Sequence, residues 1–176
     1  GSKSGNFVVT PLTTLIYQYI KEDSSVSLTD AINRVKTSLG ISSLNESLLN
    51  YDPIANNDAK THLVSLKIAT IMHLAGPDSQ DILTANLVNK LRNATNQDDI
   101  SIDFNNIDYL YKDIPSNDKL KILVDEALSK FPSIQNSLTL QEIKESQKEA
   151  FVFKNFKTLN FRSEEHTSEL QSRFGI

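Results

Sequence analysis

Apolar residues recur along the chain at helical spacing, in segments separated by polar or Gly/Pro breaks, and seven helices are predicted. Leu12, Leu15, Ile16, Tyr19 and Ile20 stand at i, i+3, i+4, i+7 and i+8, one helical face. Thr10-Pro11 ahead of them is a start signal: a Thr N-cap, then a Pro whose missing N–H is not needed in the first turn. Ser27 and Asp30 form a capping box with Asp in the usual Glu place, followed by Leu28, Ile32, Val35 and Leu39 on one face. Gly40 is placed for a left-handed stop. Residues 41–53 have no sustained period and end in the turn-like Tyr51-Asp52-Pro53. Just before the first helix, Phe7-Val8-Val9 is a short β-prone stretch.

The longest segment is 56–75. Leu63, Val64, Leu66, Ile68, Ala69, Ile71, Met72 and Leu74 cover most of its circumference, which predicts a helix buried in the middle of a bundle. Gly76-Pro77 stops it. Asp78 or Ser79 is expected to cap the next helix, whose face carries Leu83, Leu87, Leu91 and Ala94. Residues 96–99 read as a polar loop, and Phe104, Ile107, Leu110, Tyr111 and Ile114 as a shorter helix ending before Pro115. Ser116 is expected to cap a helix carrying Leu120, Leu123, Val124, Ala127, Leu128 and Phe131. Thr139 and Glu142 form a full capping box for a last helix from Leu140.

After Ala150 the period blurs. Phe151, Phe153, Phe156, Leu159 and Phe161 fit a helix end, a strand or a partner-facing segment. Packing on the bundle is the expectation, since exposed aromatic patches of that size are uncommon on monomers. The fold class is therefore all-α, an irregular or orthogonal bundle of six or seven helices, with 56–75 at the centre flanked by 10–23 and 116–131.

The 176 residues suffice for one ordinary core. The net charge of −4, with Lys and Arg scattered, argues against nucleic acid as a partner. No run of eighteen apolar residues exists, so no membrane span is predicted. The lack of cysteine removes disulfides, thiolate zinc sites and cysteine nucleophiles, without fixing a compartment. Residues 1–5 read as a cloning scar and leader, and 6–161 as a single helical domain. Residues 162–172 resemble a translated sequencing adapter and 173–176 its continuation, so 162–176 is expected to be an artefactual tail whose His166 and glutamates carry no evolved role.

Three motifs in order are more specific than caps and turns require: Val8-Val9-Thr10-Pro11-Leu12-Thr13-Thr14-Leu15, then Leu28 to Gly40, then Tyr51-Asp52-Pro53-Ile54-Ala55. Together they resemble a helical module of large bacterial surface or secreted proteins and lipoproteins, with its "PLTTL" start, "LG" stop and "YDP" turn before a long helix. The resemblance covers 5–94 well and the rest loosely. It implies an extracellular or cell-surface setting and neighbouring domains of a larger protein, with adhesin-like segments beside it. It implies no catalytic residues.

Few residues suggest chemistry. His62 and His73 share a helical face but stand roughly 16 Å apart along the axis, too far to share a metal. Asp58 and His62 at i, i+4 are within reach of each other, but two ligands make no site, and Asp58 reads more simply as a first-turn acid. Asp98, Asp99 and Asp103 lie in an oxygen-rich stretch without the Gly and late Glu of an EF-hand loop, leaving a non-standard calcium site as the one metal candidate. Ser116 and Lys119 match a bare Ser-x-x-Lys spacing without its companion motifs. Phosphate-cradling glycine loops and His-Glu-x-x-His are absent. The function expected is non-catalytic: a structural or interaction module with no cofactor and a protein or glycan as partner. The alternatives are a helical domain binding calcium, a glycan or a small apolar molecule, and an enzyme of unrecognised type.

Overall fold

Each helix of the computed structural model, which describes residues 10–151, starts or stops where backbone chemistry requires it. Helix α1 (Pro11–Glu22) opens on a reciprocal box: the Thr13 N–H donates to Thr10 Oγ1 at 3.2 Å, and the Thr10 N–H to Thr13 Oγ1 at 2.8 Å. These bonds satisfy donors that the first turn would leave orphaned. Helix α2 (Leu28–Ser38) opens on Ser27, whose Oγ accepts from the Asp30 N–H at 3.0 Å. It closes on Gly40 at φ +70°, with Gly40 N–H on the Thr37 carbonyl and Ile41 N–H on the Lys36 carbonyl. That is the double bond pattern of a Schellman stop.

Then follow α3 (Ala59–Ala75), α4 (Pro77–Asn93), the single-turn α5 (Gln97–Ile100), a 3-10 turn (Asp108–Tyr111), α6 (Asn117–Ser129) and α7 (Leu140–Phe151). The fold is all-α, with no strand among the described residues. Helix α3 is central, as its circumferential hydrophobicity predicts: it packs on α1, α4, α6 and α7. Its Leu63, Val64, Ile68 and Ile71 are all buried. Burying each such side chain contributes about 1.5–3 kcal/mol.

The core has two parts. The larger gathers Leu15, Ile16, Val35, Ile68, Leu87, Leu91, Leu110, Tyr111 and Val124, among others, from α1 to α6. The smaller is Leu63, Phe131 and Ile143, where α3, the end of α6 and α7 meet. Two cations stitch loops and helices together: Lys36 Nζ donates to the Leu44 carbonyl and an Arg34 Nη to the Leu91 carbonyl, both at 2.8 Å.

Several expectations are corrected. Helix α3 starts at Ala59 rather than 56, because Asn57 takes a left-handed φ of 52° and Asp58 becomes the N-cap rather than a first-turn acid. Neither Asp78 nor Ser79 caps α4: Gly76 does, without a side chain, and both fall inside the helix. Residues 97–100 are a helical turn instead of loop, since Asn96 caps them. The helix expected around Phe104–Ile114 shrinks to the 3-10 turn. Ser116 precedes α6 in a left-handed conformation and makes no side-chain capping bond. Leu28 and Leu123, expected on inner faces, are 45% and 36% exposed, and Ala31 lines the inner face of α2 instead. The Phe7–Val9 stretch, the aromatic segment beyond Phe151 and the adapter-like tail lie outside the described residues.

Candidate functional site

The Tyr51-Asp52-Pro53 turn folds back onto the start of the central helix and forms the densest side-chain polar cluster near any of the sequence motifs. Asp52 Oδ1 accepts from the Ile54 and Ala55 N–H groups at 2.9 and 3.1 Å, closing an Asx turn. The chain then reaches Asp58, whose N–H donates to the Pro53 carbonyl at 2.7 Å. Asp58 accepts three bonds: from the Thr61 N–H at 3.0 Å, from Thr61 Oγ1 at 2.7 Å and from the Tyr51 hydroxyl at 2.8 Å.

The titration of this knot follows from its contacts. Burial pushes the Asp58 carboxyl up, but the hydrogen bonds from Thr61 and Tyr51 outweigh it and hold the group below the usual carboxylate range. Burial, then donation to Asp58, pushes the Tyr51 hydroxyl up to about 12. His62 lies one turn further along α3, half-buried. Burial lowers its pKa, against an opposing pull from Asp52. Asp58 therefore serves Tyr51 and Thr61, and its i, i+4 spacing to His62 is not used for a bond between them.

The calcium candidates have local roles. Asp99 Oδ2 accepts from Thr95 Oγ1 and Asn96 Nδ2, both at 2.9 Å, while its N–H donates to Asn96 Oδ1. Asp103 Oδ1 accepts from the Asn105 N–H in an Asx turn, so it does not cap a helix. Asp98 is an exposed acid in the first turn of α5. Among the described residues, no group of three or more His, Cys, Asp or Glu is placed to hold a metal ion. Asp98, Asp99 and Asp103 are thus not brought together as a ligand set.

Two features have no sequence signal. Asn86 on α4 sends both amide hydrogens across to the 3-10 segment, donating to the Leu110 and Lys112 carbonyls at 2.9 Å each. Three lysines lie over aromatic rings: Lys67 over Phe104, Lys90 over Tyr109 and Lys121 over Tyr111, at 5.1, 5.0 and 5.8 Å from the ring centres. Burial also lowers the Lys67 pKa. These contacts join residues 10 to 37 positions apart around the segment that links α5 to α6, which no local pattern announces. A polar cleft of about 310 Å3 lies at α7, lined by Pro132, Gln135, Glu142, Glu145, Ser146 and Glu149.

No protein-family model, curated protein or solved structure matches the chain.

Proposed function

We propose that the chain is a non-catalytic structural or interaction module of a large bacterial surface or secreted protein, acting by packing, spacing and docking against neighbouring domains or a protein or glycan partner. One observation carries this reading. Polar side chains at the ends of the motifs that suggested the module are engaged in holding the chain, and the fullest case is the knot that ties Tyr51 of the third motif to Asp58 and Thr61 just beyond it. Thr10 and Thr13 close the first helix start, Gly40 supplies a left-handed stop, and Asp52 closes the turn. Chemistry needs side chains aimed at a substrate; these are aimed at the chain's own backbone and at one another. A spacer of this kind needs rigid helix ends, which such caps provide.

Thermal melts with calcium, zinc and a glycan panel test the reading. A ligand at 100 times its Kd adds about 2.7 kcal/mol to a folded domain. For a chain of this size each kcal/mol moves the midpoint by about 2–4 °C. The reading predicts no shift of that size with calcium or zinc. A rise of several degrees with either metal would overturn it in favour of a metal-binding domain. A rise with a glycan would identify the docking partner.

A further inference from the structure

Helix α7 is attached to the rest of the chain differently from every other long helix. Of residues 140–149 only Ile143 is buried, at 0% exposure. It packs with Leu63 of α3 and Phe131 after α6, in a small cluster separate from the main core and flanked by Leu66, Leu128 and Leu138. Among the described residues, each hydrogen bond made by the side chains or loop amides of 132–149 stays inside that segment: Leu138 to Gln135, the Thr139–Glu142 box, Ile143 to Thr139, Gln141 to Glu145 and Ser146 to Glu142. No salt bridge ties it to the body among the described residues. Helices α2 and α4, by contrast, are joined by the Arg34–Leu91 bond, and α4 clasps the 3-10 segment through Asn86.

The helix also carries its own start signal. Its capping box needs no group from the body, so the bonds that start α7 do not depend on docking. One buried Ile contributes about 1.5–3 kcal/mol, a small fraction of what the main core supplies to α1–α6. Elements with few buried contacts and purely local hydrogen bonds open at lower free energy than the global transition.

We infer that α7 is a reversible latch: it docks through Ile143 into an apolar groove of Leu63, Leu66, Leu128 and Phe131, and it swings away as a unit while α1–α6 stay folded. When open, it uncovers Leu63 of the central helix and Phe131 after α6, an apolar strip that the closed state hides. The inference rests on the packing alone and stands apart from the function proposed above.

Native-state hydrogen exchange of the whole chain in low denaturant tests it. The α7 amides are expected to exchange at least about tenfold faster than the α3 amides, with a weak denaturant dependence that marks a small opening. Ile143→Ala is expected to speed α7 exchange by a further thirtyfold or about that, while the α1 and α3 amides keep their protection. Equal rates and equal denaturant dependence for α7 and α3 in the unaltered chain would overturn the latch. So would an Ile143→Ala chain in which α1, α3 and α7 lose protection together. Should that variant fail to fold, the exchange pattern of the unaltered chain decides by itself.

Discussion

The Tyr51 hydroxyl sits 2.8 Å from Asp58 Oδ2, so the residue that opens the turn is bound to the residue that caps the central helix. The six residues between them are thereby closed into a loop, and the direction in which α3 enters the bundle is set. A hydrogen bond to a charged acceptor contributes about 1.5–3 kcal/mol, and the partial exposure of Asp58 places this one at the low end. Tyr51→Phe is expected to lower stability by about 1.5 kcal/mol in urea unfolding, with an unchanged denaturant slope.

The same pair contributes to the alkaline behaviour, beside Tyr19, Tyr109 and Tyr111, which burial also pushes up. The folded state holds the Tyr51 proton more tightly than the unfolded chain, with a pKa raised from 10.0 to about 12. The associated stability is present below pH 10 and is lost as pH rises toward 12. Tyr51→Phe is expected to flatten that part of the stability profile relative to the unaltered chain, measured as midpoint against pH.

In acid the groups with lowered pKa include His62, Asp58 and Asp23, the last held down by its hydrogen bonds from Ser25. Burial lowers the His62 pKa below 6.5, so the unfolded chain takes up the proton first. Stability present above pH 6.5 is then lost as pH falls through the folded-state value. Asp58, also lowered, adds a second loss that begins below pH 3.8. His62→Gln is expected to remove the first loss and leave the second, which a pH series of thermal midpoints resolves.

How much of this was readable in advance depends on how local the cause is. The Thr10 start, the Gly40 stop and the Thr139 box were legible, because their partners lie three to five residues away. The centrality of α3 was legible from apolar residues all around it. The 3-10 segment was not: Phe104, Ile107, Leu110, Tyr111 and Ile114 have helix-compatible spacing, yet the Asx turn at Asp103 and the bonds from Asn86 hold the backbone in another shape. Asp58 was legible as an acid near a helix start, but its Tyr51 partner lies across a loop whose path no pattern gives.

Asn86 is accordingly the most informative polar residue outside the motifs. Asn86→Ala leaves the Leu110 and Lys112 carbonyls without their donor, at a cost of about 1–2 kcal/mol. Hydrogen exchange should show the loss centred on 104–114, ahead of α1 and α2.

Tyr111 gives the opposite sign. Its ring is buried under Lys121, and its hydroxyl has no hydrogen-bond partner among the described residues. An unpartnered buried hydroxyl costs about 1–3 kcal/mol in lost hydration. Tyr111→Phe is therefore expected to leave stability unchanged or raise it by about 1 kcal/mol, whereas Leu110→Ala beside it should cost about 2–5 kcal/mol. Paired denaturation curves separate the two.

Polar side chains at the ends of the motifs, and the Asp58 to which the third motif is tied, hold the fold. Residues kept for binding or catalysis are commonly neutral or stabilising when replaced, because a functional site sacrifices stability. Residues kept for the fold are destabilising. The equilibrium stability of Asp58→Ala against the unaltered chain is the most direct test, since Asp58 is both N-cap and Tyr51 acceptor. A loss of about 1–3 kcal/mol is predicted from the cap and the lost bond together. An unchanged or increased stability would contradict the account and mark the turn as a functional site.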